Sequence, residues 1–331
     1  MIRTSYFLVL LVACPLESST LGPITRDFQV WLEKSFARTG IAIVNPTYLN
    51  NASFGGRLHP NQKIFKTPIV FVHGNSDGAL KNIGNPFGTG WDESVNYFIK
   101  QGYSLAELFG ITYGDRIPSH ALERTFNCKT IIRMRAFFKE VIKYTRSQKI
   151  HIIAHSMGVT ISRKAIKGGL IQADDGKSGF GNCDIGPSIS DKIDTLISIS
   201  AANYGVCFCQ LQTFRTAPGC NQKNGFWPGA LNNCEDRKSI VNVTDYSSIL
   251  KDINENPVKE AHKIYVILTE NDEIIGNKGK VFGRYTSSIP TMDEEYVFET
   301  LKHMETKDNT TELQYCLIQK HSCLNIPYFK K

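Results

Sequence analysis

A serine stands between an apolar run and a helix-forming segment in the sequence IIAHSMG. Ser156 follows the apolar residues 149–154 and is followed two positions later by Gly158. This pattern is typical of a nucleophile elbow, in which small residues flank the serine because the turn is strained and closely packed. Ala154 stands where a glycine is usual and is small enough for the turn. A chance match to a short pattern is the alternative, but the position directly between a strand and a helix favours a nucleophilic Ser156.

Three carboxylates follow the apolar run 263–269, in the sequence ENDE. A nucleophilic serine needs a general base and an acid that orients it, and in α/β-hydrolases both follow the serine, the acid first. Asp272 is the predicted acid, because it lies in the turn beyond a predicted strand, with Ile274 and Ile275 available to pack the loop. The alternative is a solvated acidic turn, which is a common surface pattern.

Two histidines lie beyond that turn, His303 and His321. His303 follows EEYVFETLK, whose alternating apolar residues predict the last strand, and precedes the predicted last helix, 310–320. The base of this fold class is held between the last strand and the last helix, so we predict that His303 is the base. His321 stands beside Cys323 near the end of that helix, and a structural role is the better interpretation for it.

Two backbone N–H groups are predicted to bind the oxyanion of the reaction. That of Met157 lies at the start of the predicted helix 157–167, where unsatisfied N–H groups stabilise negative charge. That of Asn75 lies in the loop after the apolar run IVFVHG, and Gly74 lets this loop fold back toward the serine. His73 precedes the serine in the chain, whereas the base of this fold follows it, so we interpret His73 as a structural residue.

Strands and helices alternate along the chain and must hold these residues in place. Short apolar runs predict strands at 69–74, 106–114, 149–154, 193–200, 263–269 and 294–302. Amphipathic spacing predicts helices at 26–37, 91–103, 129–145, 157–167 and 310–320. This alternation indicates an α/β fold with a mainly parallel central sheet flanked by helices. In such sheets the ligand site lies beyond the carboxyl ends of the strands, where the candidate residues fall.

Several of these segments together resemble one family, the class 2 lipases, which are small α/β-hydrolases related to the bacterial lipase A and lipase B esterases. The matching segments are PIVFVHG, GYSLAELFGITYGD, IIAHSMG, NYGVC, GCNQKNG and LTENDEIIG. The similarity covers residues 40–323 and is closest to the secreted nematode branch, and members carry alanine where Ala154 stands. The resemblance implies hydrolysis of carboxylic esters, including triacylglycerols, without a metal or an organic cofactor. It also implies a nucleophile at Ser156, an acid at Asp272, a base at His303 and an oxyanion hole at Asn75 and Met157.

Residues 201–262 form a cysteine-rich insertion between two late predicted strands, longer than the matching segment of the minimal bacterial members. It contains Phe208, Phe214, Phe226 and Trp227. Two interpretations remain open. The insertion is either a disulfide-braced cap that forms part of the acyl-binding wall, or a stapled surface loop whose aromatic side chains pack on the domain.

The N-terminal residues have the features of a secretory signal. Arg3 precedes the apolar run SYFLVLLVACPL, which is too short to span a membrane. We predict a signal peptide at about residues 1–19, an N-terminal extension at 20–62 and a catalytic domain at 63–331. Secretion places the protein outside the cell, and no transmembrane segment is predicted.

The cysteine content agrees with secretion. The sequence has nine cysteines, of which Cys14 lies in the predicted signal peptide. The remaining eight are an even number, which favours complete pairing in an oxidising compartment, although the sequence leaves the connectivity open. They are Cys128, Cys183, Cys207, Cys209, Cys220, Cys234, Cys316 and Cys323. Sequons for N-glycosylation occur at Asn51, Asn242 and Asn309.

The net charge of the chain bears on whether it binds nucleic acids or lipid interfaces. The 331 residues carry a formal net charge of +7, without a run of basic residues interleaved with aromatic ones. Nucleic-acid binding is therefore not predicted. The mildly basic surface could favour adsorption to an anionic lipid interface, or serve only solubility. The predicted function is hydrolysis of lipid or other esters. The alternatives are an acyltransferase or thioesterase with the same triad, and a catalytically inactive lipid-binding protein.

Overall fold

The structure is a computed structural model that describes most of the chain. The described residues are 21–43, 51–173, 181–229, 234, 245–320, 323 and 329–330. The predicted signal peptide, Asn242 and His321 lie outside these ranges. Within them, no helix combines the length and the apolar content needed to cross a membrane.

In the described ranges eight strands form the main sheet, and its six central strands are parallel. The two edge strands are antiparallel to their neighbours. With strands numbered in chain order, the spatial order is β1 (Ser53–Phe54), β3 (Leu108–Ile111), β2 (Ile69–Val72), β4 (Ile150–His155), β7 (Ile193–Ile199), β8 (Lys263–Thr269), β11 (Glu294–Phe298) and β12 (Phe329–Lys330). Two antiparallel pairs lie outside this sheet, β5 (Leu170–Ile171) with β6 (Cys183–Asp184), and β9 (Lys280–Val281) with β10 (Arg284–Tyr285). The predicted fold class and all six predicted strands are confirmed.

The central strands are buried on both faces, which explains their continuous apolar runs. Phe71 of β2 lies opposite Ile153 of β4, and Val72 lies opposite Ala154. Side chains alternate between the two faces of a strand. Phe71 and Ile153 therefore belong to one hydrophobic core, whereas Val72 and Ala154 belong to the core on the opposite face.

Helices cover both faces of the sheet. Within the described residues they are α1 (Arg26–Thr39), α2 (Asp92–Lys100), α3 (Cys128–Thr145), α4 (Met157–Lys167), α5 (Ser248–Glu255), α6 (His303–Asp308) and α7 (Thr311–Lys320). Val95 of α2 and Leu313 of α7 pack into the core that contains Phe71. Ile131 of α3 and Ile161 of α4 pack into the opposite core. The five predicted helices are confirmed, and α5 and α6 are additional.

Four disulfides join the eight cysteines beyond the predicted signal peptide, so the prediction of a fully paired set is confirmed. The pairs are Cys128–Cys183, Cys207–Cys234, Cys209–Cys220 and Cys316–Cys323. Two of them lie within the cysteine-rich insertion between β7 and β8, in agreement with the predicted fold class.

The cysteine-rich insertion packs against loops at the carboxyl end of the sheet. Trp227 and Val206 share a small hydrophobic core with Ile275, which follows the predicted catalytic acid by three positions. A Cβ at Gly219 would lie 2.8 Å from the carbonyl oxygen of Leu122, so the two backbones are in close contact there. The insertion is therefore in contact with the loop that contains Asp272 and with the segment around Leu122.

Candidate active site

Ser156 occupies a strained turn between β4 and α4. Its backbone has φ 53° and ψ −127°, a conformation that residues other than glycine rarely adopt. A Cβ at Gly158 would lie 2.2 Å from the carbonyl oxygen of His73, so glycine is required for α4 to start this close to β2. A Cβ at Gly74 would lie 2.9 Å from that of Ser156. Ala154 is fully buried in β4. The turn therefore has the geometry of a nucleophile elbow.

Asp272 and His303 form a buried hydrogen-bonded pair. Asp272 Oδ2 lies 2.8 Å from His303 Nδ1, and the two residues are 5% and 4% exposed. The other carboxylate oxygen, Oδ1, accepts hydrogen bonds from the N–H groups of Ile274 at 3.1 Å and Ile275 at 2.8 Å. The carboxylate is thus held in place by its own loop. Because it accepts the Nδ1 proton of the imidazole, Nε2 is the nitrogen left to act as a base.

His155 connects the elbow to His303. Its Nε2–H donates to the carbonyl oxygen of His303 at 3.2 Å, and the two ring centroids are 4.6 Å apart. Burial, and then the electrostatic effect of the neighbouring His303 ring, lower the pKa of His155 well below its ordinary value, so the ring of His155 is neutral. In the described part of the chain the Ser156 hydroxyl makes no hydrogen bond to His303. In free enzymes the hydrogen bond between a catalytic serine and its base is often long, and it tightens when the substrate binds.

The carboxylates on either side of Asp272 have different partners. Glu273 Oε2 accepts a hydrogen bond from the backbone N–H of His303 at 2.9 Å, so it caps the first turn of α6. Glu270 points elsewhere, accepts a hydrogen bond from the Tyr285 hydroxyl and forms an ion pair with Lys280. The predicted loop around His303 therefore contains a short helix that begins at the histidine itself. Its cap by Glu273 was not predicted, because no local pattern links residues 30 positions apart.

The backbone N–H groups of Asn75 and Met157 are free to receive an oxyanion, since neither donates a hydrogen bond within the described residues. The side chain of Asn75 is fixed on both sides. Its Oδ1 accepts from Arg124 Nη1 at 2.8 Å, and its Nδ2 donates to the carbonyl oxygen of Ala121 at 2.8 Å. Arg124 also donates to the Ser76 hydroxyl at 3.0 Å. Arg124 thus supports the loop that contains Asn75, and the sequence alone does not indicate this contact.

His73 lies beneath this loop and is committed to structural contacts. Its Nε2 accepts a hydrogen bond from the N–H of Tyr113 at 3.0 Å, and its Nδ1–H donates to the carbonyl oxygen of Gly74 at 2.7 Å. The ring stacks on that of Tyr113 with centroids 4.1 Å apart. Burial lowers the pKa of His73 to about 4 despite the nearby Asp77 carboxylate, so the ring is neutral at pH 7.

Two of the three candidate glycosylation sites lie in the described residues. The side chain of Asn309 is exposed just after α6. Asn51 is half-buried, and its Nδ2 donates to the carbonyl oxygen of Lys81 at 3.2 Å. Asn309 is therefore the more accessible of the two.

The chain resembles several solved structures of hydrolases. The mature form of the Bacillus licheniformis lipase BlEst2 is 13% identical, with 80% of this chain and 97% of that chain covered and a TM-score of 0.48. A Paleococcus ferrophilus monoacylglycerol lipase is 14% identical, with coverages of 82% and 98% and a TM-score of 0.43. MGS-MChE2, an alpha/beta hydrolase enzyme from a lagoon-sediment metagenome, is 14% identical, with coverages of 78% and 94% and a TM-score of 0.41. These similarities concern the fold alone.

Sequence comparison gives a family assignment. No curated protein sequence matches the chain. The sequence model of the family described as Lipase (class 2) matches residues 66–316, which is more than half of the 331 residues. The matched segment includes the elbow, the acidic turn and His303. The chain therefore belongs to the class 2 lipase family of α/β-hydrolases.

Proposed function

We propose that the protein is a secreted serine hydrolase of carboxylic esters, a triacylglycerol lipase or esterase. Ser156 is the nucleophile, His303 the general base and Asp272 the acid that orients it. The main support is the buried hydrogen bond of 2.8 Å between Asp272 Oδ2 and His303 Nδ1. That bond selects the imidazole tautomer whose Nε2 can accept a proton from a serine hydroxyl.

Acylation begins when His303 Nε2 takes the proton of the Ser156 hydroxyl. The serine oxygen attacks the ester carbonyl carbon, and the carbonyl electrons move onto oxygen to give a tetrahedral oxyanion. The N–H groups of Asn75 and Met157 stabilise this charge, the second from the N-terminus of α4. When the carbon–oxygen bond to the alcohol breaks, protonated His303 gives its proton to the departing alcohol. The acyl group remains as an ester on Ser156.

Deacylation repeats these steps with water as the nucleophile. His303 Nε2 removes a proton from the water molecule as the water oxygen attacks the acyl-enzyme carbonyl. The second tetrahedral intermediate collapses, the proton returns to Ser156, and a free fatty acid leaves. The buried carboxylate of Asp272 stabilises the imidazolium formed in both half-reactions.

The decisive experiment compares the wild-type protein with Ser156→Ala. Both proteins are incubated with a fluorophosphonate probe, p-nitrophenyl esters of increasing chain length, and emulsified triacylglycerols. We expect labelling and hydrolysis by the wild type, and a loss on the order of 10⁴-fold or more in Ser156→Ala. Ser147→Ala is the matched control, because Ser147 precedes β4 at the opposite end of the strand from the elbow.

The alternatives give different results in the same experiment. A folded wild-type protein that is never labelled would be a lipid-binding protein and would overturn the proposal. Labelling without release of fatty acid, but with acyl transfer to an added alcohol, would identify an acyltransferase. Activity confined to thioesters would identify a thioesterase.

Secretion and glycosylation are part of the proposal. The four disulfides, the predicted signal peptide and the exposed sequon at Asn309 support them. Expression in a eukaryotic secretory host should yield a protein in the medium that starts near residue 20. Its mass should fall on treatment with an N-glycosidase, and this loss should be smaller in Asn309→Gln.

The cap interpretation of the insertion is also proposed, supported by the contact of Trp227 and Val206 with Ile275 beside the acid. Replacing residues 208–232 by a short Gly/Ser linker removes the Cys209–Cys220 disulfide but keeps Cys207–Cys234 to close the shortened loop. A changed chain-length preference is expected. An unchanged preference in a folded variant would support the surface-loop interpretation.

A further inference from the structure

A buried ion pair lies next to the candidate site and takes no part in the acyl-transfer steps. Lys307 Nζ lies 3.1 Å from Asp77 Oδ2, and the two side chains are 0% and 1% exposed. Buried ion pairs contribute little net stability, because the cost of removing two charges from water offsets their attraction. The main effect of this pair is therefore on the relative position of the chain segments that carry Asp77 and Lys307.

Both charges are held by several further contacts. Asp77 Oδ1 accepts hydrogen bonds from the N–H groups of Gly78 at 2.8 Å and Gly90 at 2.9 Å. The Lys307 ammonium donates to the Thr89 hydroxyl at 2.7 Å and to the carbonyl oxygen of Gly90. It also lies 3.2 Å from Asp308 and 5.1 Å from the centre of the Trp91 ring. These contacts fix one relative arrangement of three chain segments.

Two of those segments carry proposed parts of the reaction. Asp77 follows Asn75, the proposed oxyanion donor, by two residues. Lys307 follows His303 by four residues in α6, and residues four apart in a helix lie on the same face, one turn apart. The ion pair therefore joins the loop that contains Asn75 directly to helix α6, which begins at the proposed base, His303.

We propose that Asp77 and Lys307 are positioning residues that set the distance between the Asn75 N–H and the His303 imidazole. This inference rests on the proposed function. Transition-state stabilisation requires that the oxyanion donor and the base meet the same reacting ester group at once. Because Asp77 and Lys307 lie in the two segments, their ion pair keeps the distance between the Asn75 N–H and the His303 imidazole constant during each turnover.

The variants Asp77→Asn and Lys307→Met break the pair from either side. The chain supplies a matched control in a second fully buried pair, Arg163 and Glu260, whose atoms lie 2.7 Å apart and whose side chains are both 0% exposed. Glu260→Gln makes the same carboxylate-to-amide change as Asp77→Asn. Glu260 also lies 3.6 Å from the buried ammonium of Lys167. We expect both amide variants to unfold at lower temperature, because each removes a carboxylate charge beside a buried cation.

Measurements of kcat should distinguish the Asp77–Lys307 pair from the Arg163–Glu260 pair. Per active site titrated with the fluorophosphonate, Asp77→Asn and Lys307→Met should lower kcat by about tenfold or more and leave KM within about twofold. The rate of fluorophosphonate labelling should fall in parallel, since that reaction uses the same oxyanion donors. Glu260→Gln should keep kcat within about twofold of the wild type.

The double variant Asp77→Asn/Lys307→Met covers the case in which a single variant does not fold. It removes both charges of the pair, and the asparagine oxygen can still accept from Gly78 and Gly90. The carboxylate of Asp308 loses the nearby cation but is 20% exposed, so the stability should recover relative to the single variants. The kcat should stay low, because the bond between the two segments is absent. A wild-type kcat in this double variant, or an equal loss in Glu260→Gln, would overturn the positioning role. Failure of the wild type to be labelled would overturn the proposed function itself.

Discussion

The two halves of the candidate site are built in different ways. The nucleophile half consists of consecutive residues, from Ala154 to Gly158, placed where β4 enters α4. The acid–base half consists of Asp272 and His303, which are 31 positions apart and come from different loops. The first half is positioned by its own backbone and by close contact with the end of β2. The second is positioned by side-chain hydrogen bonds between segments.

This difference predicts how each half responds to substitution. In the nucleophile half, a single added methyl group meets backbone atoms that cannot move away easily. In the acid–base half, side-chain hydrogen bonds hold the two residues together, and function depends on which polar atom is presented to His303. Steric changes should therefore damage the first half, whereas isosteric polar changes should damage the second.

Among the substitutions that test this comparison, the largest effect is expected for the isosteric change Asp272→Asn. The amide can present only one acceptor oxygen, and it favours the wrong imidazole tautomer when its NH₂ group faces Nδ1. We expect kcat to fall on the order of 10³–10⁴-fold, with a thermal unfolding temperature close to that of the wild type. Steady-state kinetics on p-nitrophenyl esters measure this. Glu270→Gln, two positions away, is the control and should remain within about twofold of the wild type. Comparable losses in both variants would contradict the assignment of the acid.

The next largest effect is expected for the steric change Gly158→Ala. The new Cβ would lie 2.2 Å from the carbonyl oxygen of His73 and 2.7 Å from that of Val72, so α4 must move away from β2. A displacement near 1 Å at the nucleophile should lower kcat by about 100-fold. The added strain should lower the free energy of unfolding by about 1–3 kcal/mol. Activity per titrated site and urea unfolding measure the two effects.

Ala154→Gly is the control for Gly158→Ala. It introduces the glycine that is more common in nucleophile elbows, two positions before Ser156. A glycine within a strand costs roughly 0.5–1 kcal/mol of stability, and the turn itself gains no new contact. We expect kcat within about twofold of the wild type. A large loss in Ala154→Gly would show that the alanine has a role beyond being small.

Acid should weaken the nucleophile half through His73. The unfolded chain binds a proton at this ring below about pH 6.5, whereas the folded protein binds it only near the lowered pKa of about 4. The free energy of unfolding should therefore fall as the pH is lowered from about 6.5 to 4, by up to about 3 kcal/mol from this residue. Urea unfolding at pH 7 and pH 4.5 measures the fall. His73→Gln should reduce it, and His59→Gln, at an exposed position, should not.

The nucleophile half could be predicted from the sequence because its determinants are contiguous. The apolar run, the small residues and the helix start all lie within IIAHSMG, and the predicted strand and helix are present at Ile150–His155 and Met157–Lys167. The parallel sheet was predictable for the same reason, since each buried strand is a short apolar run bounded by polar residues. The structure brings Asp272 and His303 together, and their catalytic roles remain predictions.

The supports of the acid–base half could not be predicted. Helix α6 has six residues, HMETKD, which are too few to show an amphipathic period. Lys307 meets Asp77 across 230 positions, and a buried lysine has no local signature that distinguishes it from a surface one. Helix α5 lies inside the cysteine-rich insertion, for which the sequence predicts no strand or helix.

The smallest effect is expected at Glu273, the carboxylate that caps α6. Glu273→Ala removes the acceptor of the His303 N–H and a negative charge at a helix N-terminus, which together contribute about 1 kcal/mol. Because that bond aligns the backbone of the base, kcat should fall about fivefold. Glu273→Gln keeps an acceptor oxygen without the charge, and a fall of about twofold is expected. Kinetics at low and high salt separate the two contributions, since salt screens only the charge. If Glu273→Ala leaves kcat unchanged, the Asp272 hydrogen bond is sufficient to hold His303, and the acid–base half depends on one contact where the structure provides two.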